Sequence, residues 1–210
     1  MDALTHAIEG LVCRNCSPLT DGLALSAIEL IHGNLRVAFS DGVNLEARSN
    51  MMYGQATAGM AFTNAGVGNA HAMAHQLGAI FDLPHGLANA VLLPYVMEFN
   101  LPTCQDKFAK AARAMGGDEL ANMSKATLAR LACSMVVMLN EDIGIPSNVK
   151  DLGIDEKNLA ILVKQSMADG CVTLNPRQTS TQDMDELWRR AFFGERTQQT
   201  FDGVTFLNTI

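Results

Sequence analysis

The segment His71-Ala-Met-Ala-His75-Gln-Leu-Gly-Ala-Ile-Phe-Asp-Leu-Pro-His85-Gly contains three of the five histidines of this 210-residue chain. Its apolar residues recur at helical intervals as far as Phe81, and Pro84 stands where proline favours the first turn of a new helix. Neutral imidazole is the commonest protein ligand for first-row transition metals. The segment therefore predicts two consecutive helices that carry a metal site.

The start of the chain adds a second pair of candidate ligands. Met1-Asp2-Ala-Leu-Thr-His6-Ala-Ile-Glu9 places an aspartate and a histidine four residues apart, and a helix brings such positions onto one face. The same spacing also occurs in ordinary surface ion pairs, so this pair is informative only together with the other histidines. A carboxylate joined to imidazoles suits divalent iron, zinc or manganese.

Spacing alone leaves open whether His71, His75 or both would bind, because they too are four residues apart. One further ligand would complete a four-coordinate site with Asp2, His6 and His85. His32 has a different setting, in an amphipathic helical stretch away from the other histidines. We interpret it as a core residue and leave it out of the site.

Longer motifs extend these patterns over most of the chain. They are Asp2-Ala-Leu-Thr-His-Ala-Ile-Glu9, Gly59-Met-Ala-Phe-Thr-Asn64, His71-Ala-Met-Ala-His-Gln-Leu-Gly78 and Leu83-Pro-His-Gly-Leu-Ala-Asn-Ala-Val-Leu-Leu-Pro-Tyr-Val-Met-Glu-Phe-Asn100. With Ile145-Pro146 and Asn175-Pro-Arg177, they resemble the iron-containing alcohol dehydrogenase family from Asp2 to about Phe192. The resemblance implies an all-α, multi-helix domain like the C-terminal half of the dehydroquinate synthase-like and iron-containing alcohol dehydrogenase fold.

The resemblance also implies roles for individual residues. One aspartate and three histidines would hold the metal, namely Asp2, His6, His71 and His85. His75 would then lie beside the nicotinamide and the substrate as the catalytic residue that moves the proton of the alcohol. Phe62 and Cys171 are expected to line the substrate pocket, although a phenylalanine or a cysteine in a helical chain is more often a core residue.

By this resemblance the chain is the metal-binding half of an NAD(P)-dependent oxidoreductase that interconverts small primary alcohols and aldehydes. A divalent cation lowers the pKa of an alcohol oxygen and polarises an aldehyde carbonyl, and both effects favour hydride transfer. The family favours Fe2+, while the same ligands also accept Zn2+, Ni2+ or Mn2+. The alternative is a truncated, non-catalytic helical domain that binds metal and acts only as an assembly module.

The dinucleotide itself is expected to bind mainly to an N-terminal nucleotide-binding domain that this chain lacks. The nearest glycine-rich candidate, Gly66-Val-Gly68-Asn-Ala-His71, has a histidine where the third glycine should stand and follows no strand-like run. We therefore assign no cofactor-binding residue here and expect these glycines to let helices approach near the ion. Apolar surface left by the missing domain predicts a homo-oligomer.

Composition excludes several other classes of protein. The net charge is -7 and the 15 basic residues are scattered, which argues against a nucleic-acid partner. Apolar runs end well short of bilayer-spanning length and no export signal precedes them, so we expect a cytoplasmic protein without a membrane partner. Five cysteines, an odd number, form no disulfide framework, and Cys13-Arg-Asn-Cys16 has no second pair to complete a zinc site.

Hydrophobic periodicity predicts helices throughout, in one metal-binding domain over residues 1–192. The predicted ranges are 3–13, 20–38, 44–64, 68–81, 85–98, 103–115, 122–141, 155–168 and 180–192. Thr103-x-x-Asp106 and Ser180-x-x-Asp183 have the spacing of capping boxes and predict two helix starts. Residues 193–210 show no helical pattern and are expected to form an atypical tail.

Overall fold

Eight α-helices make up the computed structural model, which describes residues 1–120 and 122–197. The helices are α1 (Asp2–Val12), α2 (Pro18–Ser40), α3 (Leu45–Ala65), α4 (Asn69–Phe81), α5 (His85–Gly116), α6 (Lys125–Asp142), α7 (Leu159–Ala168) and α8 (Thr181–Phe193). Short 3-10 segments occur at Gly117–Leu120, Lys150–Leu152, Glu156–Asn158 and Gly170–Leu174. Residues 1–120 and 122–197 contain no β-strand, which confirms the predicted all-α class.

Helix α1 lies at the centre of the first half of the fold. Its apolar residues Leu4, Ala7, Ile8 and Leu11 recur at helical spacing, are fully or almost fully buried, and face α2, α3 and α5. Burial of each large aliphatic side chain contributes about 1.5–3 kcal/mol. The core therefore fixes the rotation of α1, and with it the direction in which Asp2 and His6 point.

Helices α2 and α3 form a long antiparallel pair beside α1. Asn44 caps α3 by accepting a hydrogen bond from the backbone N–H of Ala47 at 3.0 Å. The two helices approach closely at Gly54, where a Cβ atom would stand 2.7 Å from Cγ1 of Ile31. This close contact sets the position of α3 against α2. Phe62, near the C-terminal end of α3, then contacts His6 of α1.

Helix α5 contains both predicted ranges, 85–98 and 103–115, as two helical segments that meet at a kink, with non-helical angles at Cys104 (φ -121°, ψ 17°). Residues 99–102, which the prediction left out, are helical. Pro102 lacks a backbone N–H and so interrupts the helical hydrogen-bond pattern just before the kink. The predicted capping box at Thr103 is wrong, because the Thr103 hydroxyl donates to the carbonyl oxygen of Asn100 at 2.9 Å and the carboxylate of Asp106 pairs with Lys125.

Helices α6, α7 and α8 complete the core on the far side of α5. Trp188 of α8 is fully buried and donates its indole N–H to Oγ of Ser166 on α7 at 3.1 Å. Ser180 and Asp183 form the predicted capping box at the start of α8.

Most of the predicted tail, residues 198–210, lies outside the described residues. None of the helices described is long and apolar enough to cross a membrane.

Candidate metal centre

Three helices bring four predicted metal-binding side chains to one point. Asp2 and His6 come from α1, His71 from α4 and His85 from the first position of α5, and their ligand atoms all lie within 4.8 Å of one another. Two atoms that bind one transition metal at about 2.1 Å can be at most about 4.2 Å apart. Side-chain shifts of about half an ångström would therefore close the cluster around a single ion.

The first turn of α4 is held by a buried carboxylate from α1. Glu9 accepts hydrogen bonds from the backbone N–H groups of Gly68 at 3.0 Å and Ala70 at 2.7 Å. Those groups are the free donors at a helix N-terminus, where a negative charge is also favoured by the helix dipole. A Cβ on Gly68 would stand 3.2 Å from Oε1 of Glu9 and 2.8 Å from Oδ1 of Asn175. The absence of a side chain at Gly68 therefore lets Glu9 and Asn175 lie close to the start of α4. We expected the glycines of this segment to permit such an approach near the ion.

Glu9 also determines the orientation of His71. Its Oε2 lies 2.6 Å from Nδ1 of the imidazole, and the two side chains are each 3% exposed. In the neutral ring, Nδ1–H donates a hydrogen bond to this carboxylate, and Nε2 carries the lone pair. That Nε2 atom is buried and has no hydrogen-bond partner within the described residues. A buried acceptor without a partner is costly, and a cation at this point would satisfy it.

The pKa values of His6 and His85 favour neutral imidazole, which is the form that binds metal. Burial, and secondarily the neighbouring His71, lowers the pKa of His6 to about 4. Burial also lowers the pKa of His85. Burial alone would raise the pKa of Glu9, but the hydrogen bonds from His71, Gly68 and Ala70 outweigh it and hold this pKa below its usual range. Two carboxylates, those of Asp2 and Glu9, would then balance a divalent charge.

Further side chains surround the four ligand candidates. Asn89, one turn after His85 on α5, donates from Nδ2 to Oδ1 of Asp2 at 2.8 Å, and the same nitrogen lies 3.0 Å from Nε2 of His85. The ring of Phe62 stacks on His6 with 4.0 Å between centroids. Phe62 therefore shields one face of an imidazole at the site, and it also lines a neighbouring cleft.

This cleft, between α1, α2 and α3, has a volume of about 830 Å³ and opens beside Asp2 and His6. Its walls are mainly apolar and include Leu35, Phe39, Leu45, Met51, Met52 and Phe62. Several of these side chains are unusually exposed for their type, among them Phe39 at 63% and Leu45 at 76%. The cleft borders the cluster at Asp2 and His6 and is large enough to hold a small organic molecule.

His75 lies beside the cluster and has a carboxylate partner of its own. Its ring is stacked against that of His85 with 5.5 Å between centroids, and its Nδ1 lies 2.8 Å from Oδ2 of Asp169. The sulfur of Cys171 shares this corner, because one ligand atom from each of these two residues and His75 lies within 4.8 Å of the others. Cys171 thus lies beside His75 and not in the group of four ligand candidates, and its place in a substrate pocket stays a prediction.

Sequence reasoning missed three residues of this arrangement. Glu9 and Asn89 had detectable signals, since Glu9 stands three residues after His6 and Asn89 four after His85, on the same helix faces. Asp169 had none, because it reaches His75 from a distant part of the chain.

Cys13, for which no chemistry was predicted, donates its thiol to the carbonyl oxygen of Leu174 at 3.3 Å and is a free, buried cysteine.

Comparison with known proteins identifies relatives that share this half of their sequence. Residues 1–192 match the family model described as "Fe-containing alcohol dehydrogenase family, C-terminal". The 1,3-propanediol dehydrogenase of Citrobacter freundii is 45% identical over 192 residues, covering 91% of this chain and 49% of that protein. The lactaldehyde reductase of Escherichia coli (strain K12) is 41% identical, with coverages of 91% and 50%.

A solved structure also matches this chain over about half of its own length. The crystal structure of a 1,3-propanediol oxidoreductase superposes with a TM-score of 0.88 at 44% identity, covering 91% of this chain and 50% of that one. The chain spans about half the length of the curated relatives that it matches. It belongs to the Fe-containing alcohol dehydrogenase family, whose C-terminal part residues 1–192 match.

Proposed function

We propose that Asp2, His6, His71 and His85 bind one divalent metal ion, with Fe2+ as the expected metal and Zn2+, Ni2+ or Mn2+ as substitutes. The observation that carries this proposal is Nε2 of His71, a buried acceptor without a partner among the described residues, aimed into a cluster of other ligand atoms. Such an acceptor in an otherwise hydrogen-bonded interior needs a partner. The nitrogen and oxygen donors suit a transition metal of the first row.

We further propose that the chain supplies the metal-binding half of an alcohol dehydrogenase or aldehyde reductase. The substrate class is small primary alcohols and aldehydes, supported by relatives named for 1,3-propanediol and lactaldehyde. NAD(P) would be held mainly by a nucleotide-binding domain outside the matched half. The apolar cleft beside Asp2 and His6 would admit the short carbon chain of the substrate.

The residues of this chain would have separate roles in the reaction. When bound, the ion supplies Lewis acidity that lowers the pKa of the substrate hydroxyl or polarises the carbonyl. His75 accepts the hydroxyl proton during oxidation and returns it during reduction, while the hydride passes between the substrate carbon and the nicotinamide. Phe62 keeps water from one face of His6, and Glu9 holds His71 in the orientation and tautomer that binding needs.

The first experiment is elemental analysis of the purified, gently dialysed chain and of three variants. We expect near-stoichiometric iron or zinc in the parent and its loss in His71→Ala and His85→Ala. His32→Ala is the matched control, since His32 is absent from the cluster, and it should keep the metal. A well-folded parent that takes up no added Fe2+ or Zn2+ would contradict the proposed site.

Activity is tested separately, after a nucleotide-binding domain from a relative is supplied as a second chain. We expect NAD(P)-dependent reduction of small aldehydes that is lost in His71→Ala. Metal binding without turnover in this complemented system would overturn the dehydrogenase proposal and favour the non-catalytic assembly module. The two experiments thus separate the metal site from the reaction.

A further inference from the structure

Asp169 stands between α7 and the 3-10 segment Gly170–Leu174, with each carboxylate oxygen directed at a different partner. Oδ1 accepts a hydrogen bond from the backbone N–H of Cys171 at 2.9 Å, and Oδ2 lies 2.8 Å from Nδ1 of His75. The side chain of Asp169 is 17% exposed, whereas that of His75 is 41% exposed. A sheltered carboxylate therefore holds a histidine that is still open to the surroundings of the site.

We propose that Asp169 is a positioning residue, which keeps the proton of neutral His75 on Nδ1 and so leaves Nε2 as the lone pair available to substrate. This inference rests on the proposed function, in which His75 accepts the hydroxyl proton. An ionised carboxylate can only accept hydrogen bonds, so the nitrogen that faces it must carry the hydrogen. A base whose accepting nitrogen is fixed in advance needs no tautomer change before proton transfer.

The ionised state of Asp169 follows from its contacts. Burial alone would raise its pKa, but hydrogen bonds from the Cys171 backbone and from His75 outweigh burial and hold the pKa below its usual range. Oδ1 is fixed by the backbone at the start of a 3-10 segment, so the carboxylate cannot rotate freely. Oδ2 thereby remains directed toward His75.

The same contact fixes the ring of His75 in space. Its plane lies 15° from that of His85, with 5.5 Å between the centroids, and it meets the ring of His71 edge-on at 6.0 Å. In an imidazole, Nδ1 and Nε2 are separated by Cε1 and point outward in different directions, so both cannot face Asp169. None of the side-chain hydrogen bonds found over 1–120 and 122–197 uses Nε2 of His75. Asp169 therefore determines both the orientation of the ring and the nitrogen that is free.

A second metal site at His75, Asp169 and Cys171 is the competing interpretation, because their ligand atoms also lie within 4.8 Å. The bonding pattern favours the positioning role. Both oxygens of Asp169 already have hydrogen-bond donors, one of them the backbone N–H of Cys171 itself. A metal would have to replace the hydrogen bond from His75 and also remove the proton of the Cys171 thiol, whose pKa is raised by burial and by Asp169.

The test is the tautomer of His75, read by long-range 1H–15N NMR of the chain labelled with 15N-histidine. Spectra are recorded with and without bound Zn2+, about two pH units above the ordinary histidine pKa, so that unpaired imidazoles are neutral. We expect His75 in the Nδ1–H form. In Asp169→Asn the amide oxygen still caps Cys171, but the amide N–H2 faces Nδ1, so the proton should move to Nε2.

Asp155→Asn is the matched control. Asp155 caps a 3-10 segment by accepting from the backbone N–H of Lys157 at 3.1 Å, with the same two-residue spacing as Asp169 to Cys171, but it pairs with a lysine. This variant should leave the His75 spectrum unchanged. An Nε2–H tautomer in the parent, or an unchanged spectrum in Asp169→Asn, would overturn the positioning role, and the parent result decides even if the variant does not fold.

Zinc titration distinguishes this inference from the proposed function. One equivalent per chain is expected in the parent and in Asp169→Asn. Two tight equivalents in the parent, falling to one in the variant, would instead assign the cluster of His75, Asp169 and Cys171 to a second metal. Absence of zinc binding in the parent would contradict the proposed metal site while the tautomer measurement still tests Asp169.

Discussion

The carboxylate of Glu9 lies 2.6 Å from Nδ1 of His71, and both side chains are buried. This contact joins α1 to α4 and leaves the opposite nitrogen of the imidazole facing Asp2, His6 and His85. A buried charge is stable only where it is paired and hydrogen-bonded, and Glu9 has both an imidazole and three backbone donors, the N–H groups of Gly68, Ala70 and His71. The pair is thus a support for a metal ligand rather than an isolated ion pair.

The first prediction concerns this support. In Glu9→Gln the side chain keeps its shape but loses its charge and its ability to accept at both oxygens. We expect the affinity for Zn2+ to fall about 10- to 100-fold, the usual effect of removing a group that orients a metal-binding histidine. A competitive chelator titration measures it, and Glu29→Gln on the exposed surface of α2 serves as the control. Equal affinities in the two variants would contradict the supporting role.

Metal removal should lower thermal stability. At a free Zn2+ concentration about 100-fold above the dissociation constant, binding adds about 2.7 kcal/mol, or about 5–10 °C in Tm for a chain of this size. Thermal unfolding with Zn2+ and with excess chelator measures the difference in the parent. His71→Ala should show no zinc-dependent rise, whereas His32→Ala should retain it. A zinc-dependent rise of equal size in His71→Ala would place the bound ion elsewhere.

Gly68→Ala should weaken both the fold and the site. The added Cβ would stand 2.8 Å from Oδ1 of Asn175 and 3.2 Å from Oε1 of Glu9, so these buried groups must move. We expect a loss of about 1–3 kcal/mol in the free energy of unfolding, together with weaker zinc binding. Gly33→Ala, at a helical position with open space around it, should instead be neutral or stabilising by up to about 1 kcal/mol. Denaturant unfolding of the two variants provides the comparison.

His32, outside the site, should make stability depend on pH. Burial, and secondarily the charge of Arg36, lowers its pKa from 6.5 to about 4. Between these values the unfolded chain takes up a proton that the folded chain does not, so stability is complete above pH 6.5 and declines toward pH 4. We expect the decline to be about 1–3 kcal/mol smaller in His32→Gln. Parallel pH profiles for parent and variant would contradict this assignment.

The exposed apolar wall of the cleft should mediate self-association of the isolated chain. Phe39, Leu45 and Met52 are 63%, 76% and 65% exposed, and large apolar patches are rarely left in contact with water. Sedimentation velocity should show a concentration-dependent dimer that weakens in Met52→Glu. Ile161→Glu, at a less exposed apolar position of α7, is the control. A parent that stays monomeric at high concentration would refute the prediction.

The helices could be predicted from the sequence because their apolar periodicity is strong. The break predicted between residues 98 and 103 corresponds to the kink at Cys104 within α5, a few residues later in the chain. The capping box predicted at Thr103 does not form, because the Thr103 hydroxyl bonds to the carbonyl oxygen of Asn100 in the preceding turn. Capping residues are a weak signal where a helix bends without ending.

The site was predictable where its residues share a helix face and not where they meet across the fold. Asp2 with His6, and His71 with His75, are visible as pairs four residues apart. Spacing could not decide between His71 and His75. The fold separates them by their partners, since Glu9 buries and orients His71 while Asp169 holds His75 to one side. The cytoplasmic location and the identity of the metal stay predictions.

Two long helices, α2 and α3, separate His6 from His71 along the chain, and this order has a kinetic consequence. Closing a loop of this length costs entropy, so we expect the ligands to meet only after the intervening pair has packed against α1. We therefore expect a bound ion to stabilise contacts that form late, after the folding transition state. Such contacts act on the unfolding rate, so we expect metal to prolong the lifetime of the folded chain without accelerating its folding.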